Sequence, residues 1–239
     1  MTALLRGELI KTVTTRTLFG YAALGVALAI ANVLIMTLSK DLVTVADKQE
    51  AIAGLPMLLI LFGLVGAAGE YRHRTAAPAA LAAGGSRGRL LLARAGAYAV
   101  SGLALGALTS AASLALGLPL LSGEGGLGLG SGKIAAVATG SVVGAGLCAI
   151  MGVAAGALVR NQVAGVVGAL ILMFVAMPLL NVADETAAEL SPFGAAVVLA
   201  GDPAVGGTLS WGMAGLVLAA WTVPLLFAAI VVERRRDLA

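Results

Sequence analysis

Residues Ile134–Val159 read IAAVATGSVVGAGLCAIMGVAAGALV, 26 positions without one charged side chain. As a helix this stretch would run about 39 Å at the usual rise per residue. A bilayer's hydrocarbon core is roughly 30 Å thick, so the stretch is long enough to cross it. Five more stretches approach or pass the same test: Phe19–Leu38, Ile52–Gly69, Ala93–Leu118, Val163–Leu180 and Trp211–Val232. The whole composition agrees. Of 239 residues 60% are hydrophobic and 11% charged, and the mean hydropathy is +1.03. Soluble domains carry about 25% charged residues. An ordinary cytosolic domain, a disordered chain and a disulfide-rich secreted one are excluded as classes, and a nucleic-acid-binding domain is disfavoured. One cysteine, Cys148, allows no internal disulfide. The expected fold is an all-α integral membrane protein with six transmembrane helices, one domain over residues 1–239.

The basic residues set an orientation. With six crossings, one side of the membrane holds both termini, the loop after the second span and the turn after the fourth. Counting Arg94 at the foot of the third span, that side carries 12 of the 15 Lys and Arg residues. The other keeps only Lys40, Lys48 and Lys133, beside eight of the acids. Positive charge marks the cytoplasmic side, so both termini are expected there. The basic Lys11 and Arg16 precede an apolar run longer than a signal peptide's core, and Phe19–Leu38 reads as a retained span.

Small residues suit close helix packing. Gly102/Gly106, Gly140/Gly144 and Gly152/Gly156 are GxxxG pairs, four apart and therefore on one helix face. They serve packing within one bundle or between two copies.

Chemistry is sparse. No ionisable residue lies in the middle of a span, which disfavours ion-coupled transport. The single histidine, His73, has no cysteine or second histidine near it in sequence, so neither a catalytic pair nor a metal site is expected. Gly123, Gly125 and Gly128 match the dinucleotide pattern G-x-G-x-x-G, but they lie between two membrane helices and not in a βαβ unit. The chain is expected to be no enzyme and to hold no cofactor.

Three segments outside the spans carry information. Residues 1–17 form an expected amphipathic interfacial helix, with Leu5, Leu9 and Val13 on one face and Glu8, Lys11 and Thr15 opposite. Arg16 falls on the apolar side, so the helix should bend or end there. Residues 70–89 read EYRHRTAAPAALAAGGSRGR, a basic loop with a helix-competent centre from Pro78 to Ala83 ended by Gly84 and Gly85. It reads as a surface for anionic lipid headgroups or for a cytosolic partner. Residues 181–210 hold four acids and no Lys or Arg, and the apolar run Phe193–Ala200 is too short to span. A re-entrant half-helix is expected there.

This layout resembles the permease subunit of a type-2, exporter-type bacterial ABC transporter. Glu70, Tyr71, Arg74 and Thr75, with Arg72 and His73 between them, then Leu81 and Ser86-Arg87, are similar to that family's coupling region. Glu8, Lys11 and Arg16 look like its interfacial elbow helix, and Arg160 like its basic turn before the fifth span. Leu190–Phe193 looks like its short helices before the last span, and Arg235-Arg236-Asp237 like its C-terminal ending. Arg94 stands where a Lys is common, and Gly84-Gly85 where a Pro often lies.

The resemblance implies a pair of permeases in the bacterial inner membrane, each docked through residues 70–89 to a separate cytosolic ATPase. ATP and magnesium would belong to that ATPase. The apolar span interiors suit a hydrophobic or amphipathic cargo such as a drug, lipid or peptide. A membrane scaffold for a cytosolic partner, and a passive channel or carrier, are the alternatives the residues leave open.

Overall fold

The fold is taken from a computed structural model that describes residues 2–39, 45–73, 75, 79, 86–122, 129–201 and 209–235. Every element among them is helical. In chain order they are α1 (Thr2–Thr14), α2 (Arg16–Ser39), α3 (Val45–Ile52), α4 (Leu58–Arg72), α5 (Arg87–Ser122) and α6 (Ser131–Val159). Then come α7 (Gln162–Ala183, with a π-helical middle), α8 (Glu185–Leu190), α9 (Pro192–Leu199) and α10 (Trp211–Arg235). Five helices, α2, α5, α6, α7 and α10, are long and apolar enough to cross a membrane. The chain is thus a multi-pass, all-helical membrane protein.

The second expected span differs. Instead of one helix over 52–69, the chain leaves the helical path after Ile52 and resumes it at Leu58. Gly54 and Pro56 explain the break: glycine weakens a helix and proline removes a donor and disfavours helical geometry in the residue before it. The opened backbone is satisfied from other helices. The Gly54 N–H donates to Ser141 Oγ at 3.1 Å, and Asn32 Nδ2 donates to the carbonyls of Glu50 and Ala51, each at 3.3 Å. Non-helical backbone at membrane depth requires such protein partners.

At the centre, α6 is flanked by α4 and α5, with α10 and α9 on its remaining side. Its glycines explain the closeness. A Cβ at Gly152 would collide with the Ile60 carbonyl of α4, and one at Gly156 would stand 2.7 Å from the Leu64 carbonyl. At Gly140 it would strike the Leu199 carbonyl of α9, and at Gly144 it would meet Pro56 at 3.1 Å. Gly102 and Gly106 of α5 face Ala145 and Ala149 of α6 in the same manner. All three GxxxG pairs therefore face helices of this chain. Phe62 of α4 anchors the aromatic part of the core, edge-on to Tyr21 of α2 at 5.3 Å and tilted against Tyr98 of α5 at 4.8 Å.

The helix ends follow local chemistry. Asn161, Asp184 and Ser191 each accept a backbone N–H three residues on, capping α7, α8 and α9. Pro192 occupies the first turn of α9, the position where its missing donor costs nothing. The apolar run at 193–200 is helical within this element, which packs against α10 and α6. Within α7, residues Leu172–Ala176 form a π turn closed by the Met177 N–H on the Leu172 carbonyl. Pro178 accounts for it, because its ring would clash with the Phe174 carbonyl in a regular helix.

Candidate functional site

The N-terminal helix corrects the expectation for residues 1–17. Glu8 and Thr12 are its buried residues, while Ile10 and Val13 are 55% and 52% exposed. The inward face therefore mixes the two predicted ones: Glu8 of the polar set is buried and Leu5 and Leu9 of the apolar set are half-buried, while Lys11 and Val13 are exposed. The cause lies on α5: Arg94 is 3% exposed, and a buried cation demands a carboxylate.

Two carboxylates meet it. Arg94 Nε lies 3.2 Å from Glu8 Oε2, and Arg94 Nη2 pairs with Glu70 Oε2 at the end of α4. Lys11 Nζ pairs with Glu70 Oε1 and sits 3.9 Å from Glu8 Oε1. Two acids and two bases make a neutral quartet joining α1, α4 and α5. Burial lowers the Lys11 pKa below its ordinary 10.5; Glu8 draws it back up and Arg94 pushes it further down.

The next residue opens a second junction. Tyr71 Oη donates to Glu233 Oε2 of α10 at 2.8 Å, and Arg160 Nη2 donates to the same oxygen at 3.0 Å. The Arg160 guanidinium also lies 5.0 Å from the Tyr71 ring centroid, a cation–π contact. Arg160 caps α6 in the left-handed conformation, φ 55° and ψ 2°, which turns the chain sharply into α7. Consecutive residues Glu70 and Tyr71 are thereby fastened to α1, α5, α6 and α10.

The other predicted site residues distribute around this root. Arg72 is exposed and its Nη1 donates to Gln162 Oε1 at 3.4 Å. His73 is exposed and caps α4 through its N–H on the Gly69 carbonyl. Thr75 N–H returns to the Glu70 carbonyl at 2.9 Å, and the Ala79 N–H bonds the Thr75 carbonyl at 3.2 Å. On the far side of the loop, the Ser86 carbonyl accepts from Leu90 N–H and Arg87 opens α5. Arg74, Leu81 and, apart from Ala79, the expected helix over 78–83 lie outside the described residues. Arg16 opens α2, exposed and apart from both junctions.

The sequence reading missed Glu233 and the partnership of Arg160 with Tyr71. A signal existed, since Glu233 closes the last apolar run directly before three arginines, Arg234 to Arg236. Among the described residues no three of His, Cys, Asp and Glu come together where they could hold a metal ion. The carboxylates of both junctions are held by the groups beside them, so what those carboxylates can do is mechanical. No family model matches the chain, and no curated protein matches it significantly.

Proposed function

We propose that this chain is the permease subunit of a type-2 ABC exporter, working as a pair and driven by a separate cytosolic ATPase docked on residues 70–89. The observation that supports this reading is the doubly fastened loop root. A loop that must pass a push into the membrane needs a stiff base, so that force displaces helices instead of bending the loop. Glu70 and Tyr71 supply such a base, because each is tied to other helices by charged hydrogen bonds.

In this reading α4 is the second of six crossings, in the bacterial inner membrane. Its 15 residues give about 22 Å of helix, and the residues between Ile52 and Leu58 supply the remainder. Both termini then face the cytoplasm, the side on which the sorting of basic residues supports placing them. ATP and magnesium act in the partner, and the cargo is hydrophobic or amphipathic.

The test is a gentle detergent pull-down from the native host with mass spectrometry. A stoichiometric partner carrying nucleotide-binding motifs supports the reading, and reversing charge at Arg72 and Arg74 should release it. Recovery of the chain alone would replace the energised permease with a passive pore or scaffold.

A further inference from the structure

A cleft of about 340 Å³ lies among α4, α6, α7, α9 and α10, inside the roughly 300–1,000 Å³ range of small-ligand sites. Leu64, Met151, Val159, Gly168, Phe193 and Trp221 define its walls. From Met151 to Val159 it follows α6 for roughly 12 Å, so it is a slot and not a bowl. Its lining is apolar nearly throughout. The indole of Trp221 leaves no free donor in it, because Nε1 donates to the Leu190 carbonyl at 2.9 Å. Water has nothing to bond there, and apolar cavities do not hold it.

Gly168 separates this feature from imperfect packing. At the other α6 and α7 glycines of the core, a Cβ would press on a neighbouring helix, as Gly165 would on Leu64 at 2.9 Å. At Gly168 nothing lies within 4 Å of the added Cβ. The cleft's end, where α6 turns into α7, is basic. Arg160 stands next to Val159, and its Nε is buried without a hydrogen-bond partner. Arg72 reaches over to Gln162 at the first residue of α7. Arg72 and Arg160 thus lie just beyond the residues that line this end of the cleft, Arg160 with its Nη2 on Glu233.

We propose that this cleft binds one acyl chain of an anionic phospholipid from the adjoining leaflet, with the headgroup phosphate against Arg72 and Arg160. The shape admits a straight hydrocarbon chain, and the charge at the mouth selects a negative head over a zwitterionic one. The site needs neither nucleotide nor partner, so its test stands apart from the transport reading.

Trp221 reports on the cleft from within. In full-length protein carrying Trp211→Phe it is the sole tryptophan, and bromine atoms on a lipid chain quench it on contact. Phosphatidylglycerol brominated along its chains, titrated into detergent-solubilised protein, should quench in a saturable manner. Brominated phosphatidylcholine should require a roughly tenfold higher mole fraction. Gly168→Leu fills the slot and should abolish the saturable component; Ala155→Leu, from the facing wall, should do the same. Gly20→Leu on α2, where a side chain also meets nothing within 4 Å, should leave it intact. Each variant's thermal unfolding is matched to the parent before comparison. Quenching that rises without saturation and is unchanged in both filled variants overturns the site. Equal affinity for the two lipids overturns the role of the arginines.

Discussion

At the scale of single residues, Arg94 is the most consequential side chain in the molecule. Removing one partner from a buried ion pair leaves an uncompensated charge and costs about 3–5 kcal/mol. Arg94→Met strands Glu8 and Glu70 with Lys11 as their remaining cation, and the expected loss of stability is of that size. Thermal unfolding in detergent measures it; a change below about 1 kcal/mol would mean that the quartet does not hold the helices together. Tyr71→Phe is milder. It takes one hydrogen bond from Glu233 while Arg160 stays, so about 1.5–3 kcal/mol should be lost, and Arg160→Ala on the same background should cost more than it does alone, because it leaves the buried carboxylate with neither partner. Non-additivity of that kind is the signature of a shared acceptor, Glu233 Oε2.

At the scale of elements, the helix glycines divide into those held by contact and those that are not. Gly152→Ala places a methyl group against the Ile60 carbonyl and must push α4 away, with an expected cost of at least about 1–3 kcal/mol. Gly20→Ala meets nothing and gains helix propensity, so it should be neutral or mildly stabilising. Paired unfolding curves of these two variants test the packing of the bundle without reference to any function. The same contrast shows what could be read before the structure. Long uncharged runs disclosed α2, α5, α6, α7 and α10 to within a few residues, because length and apolarity are local properties. Gly54 and Pro56 were visible as well, yet they were absorbed into a run whose hydropathy alone suggested continuity. The π turn of α7 was marked in advance by Pro178. The inward face of α1 had no such sign: Glu8 is buried because of an arginine 86 positions later, and helical periodicity within residues 1–17 contains no knowledge of it.

At the scale of the whole molecule, the sorting of charge makes a claim about sidedness. In a Cys148→Ala background, Thr75→Cys should resist a membrane-impermeant maleimide in intact cells and react once the cells are opened. Glu185→Cys, at the start of α8, should react in intact cells. Labelling of both from outside would invalidate the six-crossing arrangement and the proposed docking side together. Cys148 itself is fully enclosed in α6 and should stay unlabelled in either preparation.

The buried quartet also imposes an order on biosynthesis. Glu8 leaves the ribosome 86 residues before Arg94, and Glu70 leaves it 24 residues before. Until α5 emerges, two carboxylates belong to helices that cannot yet seat them, so α1 must wait at the membrane surface. Arrival of the arginine draws both acids inward at once. Assembly of the N-terminal half is therefore conditional on α5, and a nascent chain stalled before residue 94 would expose to the cell's quality-control proteases the one face of α1 that the finished protein buries.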